Sequence, residues 1–527
     1  MRPQTQASET ILHVLRQQAL HRGSALAHAV GDAAVTFGDL WNDVRAIAAT
    51  LGRYGVESRD RCALVLPTGL DLIRLIFAVQ MRRAVPIVLN PDVADVVTAG
   101  RLARLRTALV VAEPDRAAGL ESQVSASGGR VVVADELTRP RSAPMIAAWP
   151  EPNDIAYLQL TAGTTGESRA AVVTHASLMA SLEGSRRRLG ITDTDVFASW
   201  IPLHHDFGLV RFVFGSVYAG CPSHLVPVSL TNLRPWLETM DRVRASITGG
   251  PDIGYRTAAQ LVSSNGLNLS SLRVATNGGE GVRRSTIEMF ESRFGLPGVI
   301  RPGYGLAEAT LAVTCVAPGE ALSVDAAGTV GCGAPLDGVT LRIVDSDGRP
   351  VGPLTEGEIQ VRGACVFAGY FDDEPQSRAT LRGGWLHTGD IGCLDESGRL
   401  FVKGRARSLI KRGGAALAPK EIEEVVDGIP EVRLSAALGL AGLEFAVEER
   451  LVIVAELRGE SVSYPADAAA LTSRIAQHVA QRFGVMPFQV LLVEPGGIPL
   501  TASGKVQHAE VSARLRSGRL AELFFTD

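Results

Sequence analysis

A chain of 527 residues is too long for one hydrophobic core and should divide into two or more domains. Hydrophobic residues make up 46% and charged residues 20%, the balance of a globular enzyme rather than a disordered or fibrous chain. A formal charge of −4 gives no electrostatic reason to expect nucleic acid or an anionic membrane as a partner, and no run of about 18 apolar residues reads as a membrane span.

In chain order, Glu9–His21 reads as a helix and His28–Thr36 as strand–turn–strand. Phe37–Tyr54 carries Leu40, Trp41, Val44, Ile47, Ala48 and Leu51 at helical spacing and stops before Gly55, as at a C-cap. Cys62–Leu66, Val85–Leu89, Ala108–Ala112 and Arg130–Val133 read as short buried strands, with Leu70–Arg82 a helix between the first two. Strands alternating with helices predict parallel sheets covered by helices. The Pro/Arg-rich stretch 139–152 reads as an exposed connector. The strand–helix rhythm resumes from Leu178 to about Gly305, and residues 330–371 read as short strands with Gly/Asp turns, a small β-rich subdomain. After Arg405 the pattern is mixed, with helices near Lys420–Val426 and Ala468–Phe483 and strands at Leu451–Leu457 and Gln489–Val493. The expected architecture is α/β: a large N-terminal domain (1–404) and a small α+β C-terminal domain (405–527). Cys62, Cys221, Cys315, Cys332, Cys365 and Cys393 form no CxxC pair or metal-ligand spacing, and the N-terminus shows no apolar leader. Reduced thiols in a cytoplasmic protein are the expectation.

One stretch organises the rest. In Leu158–His175, LQLTAGTTGESRAAVVTH, one apolar strand enters a loop of small and hydroxyl residues and a second apolar strand leaves it. Gly163 and Gly166 allow close backbone approach, while Thr164 and Thr165 add hydroxyl donors, the makings of a phosphate cradle. GxxxxGK followed by S or T is absent, so this is no Walker A loop, and a hairpin turn alone would also explain it. Later in the chain come PLHHDFGL (Pro202–Leu209), NGGEGV (Asn277–Val282), YGLAEAT (Tyr304–Thr310), WLHTGD (Trp385–Asp390), GRARSLIKRGG (Gly404–Gly414) and PLTASGK (Pro499–Lys505). In that order, over about residues 10–515, these motifs resemble the adenylate-forming superfamily of acyl-CoA synthetases, fatty acyl-AMP ligases and adenylation domains. HHDFGL and RPGYGLAEAT look most like the fatty acyl-AMP ligase branch.

The resemblance implies a two-step reaction in which a carboxylate attacks ATP to give an acyl-adenylate and pyrophosphate, and a thiol then displaces AMP. Joining two anions demands positive charge, N–H donors and usually Mg2+. By resemblance, Lys505 bridges carboxylate and α-phosphate, Glu308 holds Mg2+, Tyr304 and Gly305 meet the adenine, and Asp390 and Arg405 meet the ribose. Thr161, Gly163, Thr164, Thr165, Gly166 and Arg169 would surround the phosphates. Gly278, Gly279 and Glu280 would run along the adenine and acyl pocket, and His205 would gate the acyl site. Phe207, Asp252 and Gly254 would line the acyl pocket. Gly249, Gly250 and Gly254 suggest room for a bulky chain, and Asp252 suggests a polar contact. The small, mobile C-terminal domain would rotate about a hinge at Arg407, bringing Gly413 and Gly414 to a pantetheine arm. His204 and His205 have no further metal ligands at useful spacing.

The chain departs from the family at its phosphate loop. Ala162, Ser168, Arg169 and Ala170 stand where the family has a hydroxyl residue, Pro, Lys and Gly. The fork of Arg169 does not replace a compact ammonium, which raises the reading that thioester formation dominates and a separate adenylating enzyme supplies the adenylate. Intact Lys505 supports the opposing reading, that both steps proceed. The interval Leu311–Thr329 is short where acyl-AMP ligases carry an insertion, which favours coenzyme A as acceptor over an acyl carrier protein. No GxGxxG follows a first strand, against a dinucleotide-binding oxidoreductase, and retention of Glu308, Asp390, Arg405 and Lys505 argues against a catalytically silent relative.

Overall fold

The computed structural model describes residues 9–126, 128–138, 149–161, 168–326, 328–406, 409–412, 415–441, 449–459, 465–500 and 506–520. A six-stranded sheet runs in the spatial order Arg130–Val133, Leu109–Ala112, Arg61–Val65, Val85–Val88, Ile155–Thr161, Arg169–Thr174. All neighbours are parallel except the last pair. Its strands are apolar without a break because both faces are covered. Cys62 and Leu64 face one core with Phe77, whereas Ala63 and Val65 face another with Leu102 and Leu120.

A nine-stranded sheet places Ile300–Tyr304, Val274–Asn277, Ile247–Gly250, Phe197–Ser199, Ser223–Leu225 and Leu26–Val30 side by side in parallel, with antiparallel strands at both ends. One continuous core joins this sheet to the first through Ile11, Phe37, Phe77 and Phe212 of four helices. The strands Val339–Val344, Gly357–Gly363, Trp385–Leu394 and Leu400–Arg405 form an antiparallel unit whose register sets Asp390 opposite Arg405.

The C-terminal region packs Val432–Ala441, Glu449–Leu457 and Gln489–Val493 into a sheet with helices Pro419–Asp427 and Pro465–Phe483 on one side and His508–Arg516 on the other. The strand Val432–Ala441 was not expected from the sequence. Helix Pro419–Asp427 rests on the preceding sheets through charge. Arg256 Nη1 and Arg283 Nη2 lie 2.8 and 3.1 Å from Asp427 Oδ2, and Lys420 Nζ donates to the Val282 carbonyl at 3.1 Å.

A second pair, in which Glu423 is buried and His508 is half-buried, ties the C-terminal region to itself: His508 Nε2 lies 2.5 Å from Glu423 Oε1. Burial disfavours the imidazolium, but the bond and charge of Glu423 outweigh it and raise the His508 pKa above 6.5. A group with a raised folded pKa stabilises fully below its unfolded value and loses that stabilisation as pH rises through the folded one. Thermal stability should therefore fall as pH rises above about 6.5, and His508→Gln should flatten that fall in a pH series of melting curves. An unchanged slope in the variant would remove His508 as the cause.

Candidate active site

A cleft opens at the C-terminal ends of the parallel strands of the nine-stranded sheet. That is where ligands bind in open α/β sheets. It is lined by His205, Phe207, Gly278, Gly279, Tyr304 and Gly305, six of the residues expected from the sequence, together with Arg211, Thr276, Leu311, Thr314 and Cys315. Gly279 has φ +80°, a left-handed conformation that suits glycine. A Cβ on Gly305 would stand 1.6 Å from the Leu311 carbonyl oxygen, so the backbone approach there admits no side chain.

At one side of the cleft, the Tyr304 hydroxyl donates to Asp390 Oδ2 at 2.5 Å and Arg405 Nε meets Asp390 Oδ1 at 2.7 Å. Arg405 Nη1 also donates to the Thr388 carbonyl at 3.0 Å. Burial pushes the Asp390 carboxyl above the ordinary aspartate range, with Arg405 and Tyr304 pulling against it. Each carboxylate oxygen has two lone pairs, so Asp390 can still accept one donor on each oxygen beyond these partners.

Glu308 sits on a one-turn helix, Ala307–Ala309, and Oε1 accepts the Tyr370 hydroxyl at 2.7 Å. The guanidinium of Arg169 lies 5.8 Å from the centre of the Tyr370 ring, and its Nε stands 3.3 Å from Asp373 Oδ2. Thr161, paired with Arg169 across the two strands, donates its hydroxyl to the Arg169 carbonyl at 3.4 Å. Immediately after Glu308, the non-glycine residues Thr310 and Leu311 hold φ of 53° and 90°. Such strain collects where a binding wall must be held in one shape. Bonds from Ser181 to the Thr310 carbonyl and from Thr310 to the Cys365 carbonyl, both 2.6 Å, hold it there.

Three groups of expected site residues are engaged within the protein. Asp252 is fully buried and meets no substrate, because Asn277 Nδ2, the Arg283 backbone N–H and the Thr286 hydroxyl all donate to it and Arg283 Nη1 lies 3.5 Å away. A Cβ on Gly249 would meet the Thr276 hydroxyl and the Phe207 ring, and one on Gly250 or Gly254 would meet the Trp200 indole, so protein side chains stand at all three glycines. Glu280 Oε1 accepts the Ile253 backbone N–H at 2.7 Å in the first turn of helix Asp252–Leu261. Gly163, Thr164, Thr165, Gly166, Arg407, Gly413, Gly414 and Lys505 lie outside the described residues. Sequence reading missed Arg211, though a single arginine inside the apolar run FGLVRFVF was the signal.

Two helix-covered, largely parallel sheets, a cleft at their strand ends and a Tyr–Asp–Arg cradle on an antiparallel unit define an adenylate-forming ligase. The chain belongs to the AMP-binding enzyme family, whose model matches residues 15–371. It is 29% identical over 547 residues to the medium-chain-fatty-acid acyl-carrier-protein ligase JamA of Moorena producens, covering 92% of this chain and 90% of that one. It is also 29% identical over 545 residues to the long-chain-fatty-acid–AMP ligase FadD26 of Mycobacterium marinum, covering 90% and 91%. A structure solved in work on fatty acyl-adenylate ligases from E. coli and L. pneumophila superposes with a TM-score of 0.87 at 26% identity, over 98% of this chain and 99% of that one. The enzyme thus acts through an acyl-adenylate, with ATP and AMP as its nucleotides. Among the described residues, no helix is long and apolar enough to cross a membrane.

Proposed function

We propose that this enzyme activates a carboxylic acid as its adenylate and passes the acyl group to a thiol, completing both half-reactions on one chain. The observation that carries this reading is the Tyr304–Asp390–Arg405 cradle at the side of the cleft. The ribose hydroxyls donate to the two oxygens of Asp390, and the Tyr304 ring, fixed through its hydroxyl, packs on the adenine. An oxygen of the bound acid attacks the α-phosphorus, and the bond to pyrophosphate breaks. Lys505 bridges the two reacting anions, and His205 and Phe207 bound the acyl side.

Among the described residues no group of three or more His, Cys, Asp or Glu gathers, so a protein cage for a metal is not on offer. One carboxylate oriented by a neighbour suits Mg2+ shared with substrate phosphates, and Glu308 held by Tyr370 is such a carboxylate. When bound there, the ion would neutralise phosphate charge. Arg169 is already engaged by Asp373, so less of its charge faces the phosphates than a free lysine would offer. This favours a slow first step over a missing one, and a separate adenylating enzyme becomes the minor reading.

In the second half-reaction the thiol sulfur attacks the acyl carbonyl and AMP leaves. The chain divides into 1–404 and 405–527, and the second unit rotates about Arg407 so that Gly413 and Gly414 admit the pantetheine arm. Coenzyme A is the first reading for the acceptor, because the described residues between 311 and 329 hold a two-residue strand, Thr314–Cys315, and one end of a bridge from Val324 to Val330, with no added element among them. A carrier-protein phosphopantetheine is the second, favoured by the name of the relative from Moorena producens.

The test separates the half-reactions. Pyrophosphate exchange with ATP is followed over a panel of acids, and thioester formation is followed from synthetic acyl-adenylates with coenzyme A or a phosphopantetheinylated carrier protein. Exchange together with acyl-CoA is the expected result. Thioester without exchange would overturn the proposal of a complete enzyme, and exchange with transfer only to the carrier protein would overturn coenzyme A as acceptor.

A further inference from the structure

We propose that the Phe207 ring, seated on Gly249, is the end wall of the acyl side of the cleft and limits the length of acyl chain that this enzyme activates. The proposal rests on the acyl-adenylate reading above and adds how the chain is measured.

The order of the sheet gives the cleft two sides. Tyr304, of the nucleotide cradle, ends the strand Ile300–Tyr304, and Gly249 lies on Ile247–Gly250, two strands across. Neighbouring strands stand about 4.8 Å apart, which separates the two positions by roughly 10 Å across the sheet. Ile201, Phe207, Pro251, Leu311 and Ala312 give the cleft apolar surface for a chain to lie on. Phe207 is the largest of them. It opens the π-helix Phe207–Phe214, and π-helical turns are rare and concentrate at functional sites.

A side chain at position 249 would compete with the ring for one space. Gly249 is buried and pairs in register with Thr276, which lines the cleft. A Cβ on Gly249 would stand 2.9 and 3.0 Å from Phe207 Cζ and Cε2, and 2.5 Å from Thr276 Oγ1. The tip of the half-buried ring therefore rests where the glycine has no side chain. The wall is also held from behind and below. The Phe212 ring packs 6.1 Å away at 24°, and a Cβ on Gly208 would stand 2.4 Å from the Pro202 carbonyl oxygen, so the backbone carrying Phe207 is pressed onto the preceding loop. The next glycine of the strand, Gly250, is covered by the Trp200 indole, itself 4% exposed. An acyl chain that reaches the ring must stop there or force it aside, and overpacking a fixed wall is costly.

Pyrophosphate exchange with ATP on the full-length protein, over straight-chain acids of increasing length, measures the limit as the length beyond which kcat/KM falls. Phe207→Ala should move that limit to longer acids, each methylene that gains a buried place raising kcat/KM about fourfold. Phe207→Trp should move it to shorter ones. Gly249→Ala should also shorten it, because the new Cβ drives the ring into the cleft, and combining it with Phe207→Ala should restore the longer limit. That reversal distinguishes a wall from a residue that only supports the fold, whose loss would lower exchange for all acids alike. Should Gly249→Ala not fold, the two Phe207 variants still decide. An unchanged length profile in Phe207→Ala, or a uniform loss across the series, would overturn the wall and leave the adenylate reading standing. Absence of exchange with every acid in the wild type would overturn the adenylate reading and the wall with it.

Discussion

Asp390→Asn should lower kcat/KM for pyrophosphate exchange by roughly a hundredfold to twenty-thousandfold while leaving the melting temperature level or higher. The loss follows from two ribose hydroxyls that each lose a charged acceptor. Hydrogen bonds to charged groups are worth about 1.5–3 kcal/mol apiece, and each 1.36 kcal/mol is about tenfold in rate. The stability side follows from the pKa. Burial raises the Asp390 pKa in the fold above its unfolded value. The folded chain therefore disfavours the ionised form, and at neutral pH this carboxylate costs stability rather than adding it. Removing the charge relieves that cost. Arg405, the partner left behind, is solvent-exposed and can be hydrated instead. Exchange rates and melting curves on the same preparation check both halves. A rate loss accompanied by a large drop in melting temperature would show that Asp390 supports the fold rather than the nucleotide.

The sequence carried the elements with strong periodicity. The strand Arg130–Val133 and the strand Gln489–Val493 stand where alternation and apolar runs put them, and the helices Phe37–Arg53 and Leu70–Met81 differ from expectation by one residue. The motifs were legible because each is a local string. What failed depended on partners far along the chain. Asp252 after Gly249–Pro251 looks the same whether it faces a substrate or an arginine, and its partner Arg283 is 31 residues on. Glycine marks a missing side chain but not what fills the vacancy, so the Trp200 indole over Gly250 and Gly254 was not legible. The π-helix is equally invisible, because its bonding differs from an α-helix without a change in apolar pattern.

Asp427→Ala should release the C-terminal unit without unfolding either part. In the docked arrangement one carboxylate serves two guanidiniums, and the side chains of Arg256, Arg283 and Asp427 are 8%, 9% and 5% exposed. Burial opposes the Arg283 charge, yet Asp427 and Asp252 together hold its pKa above the ordinary value. Removing one partner of a buried ion pair costs about 3–5 kcal/mol when the other must stay buried. Here it need not. The C-terminal sheet has apolar cores of its own on both faces, built around Ile453 and Val454, so the unit can separate intact and let water reach Arg256 and Arg283. Asp252 continues to face Arg283 from the other side. The expected result is a larger radius of gyration in solution scattering and faster proteolysis after Arg405, with the main melting transition retained. If the rotation proposed above separates the half-reactions, the variant also shifts the ratio of pyrophosphate exchange to thioester formation, since one docked pose has lost its anchor. Unchanged scattering and proteolysis would mean that the surrounding contacts, Lys420 on the Val282 carbonyl and the Lys403–Glu421 pair at 3.2 Å, hold the helix without the network.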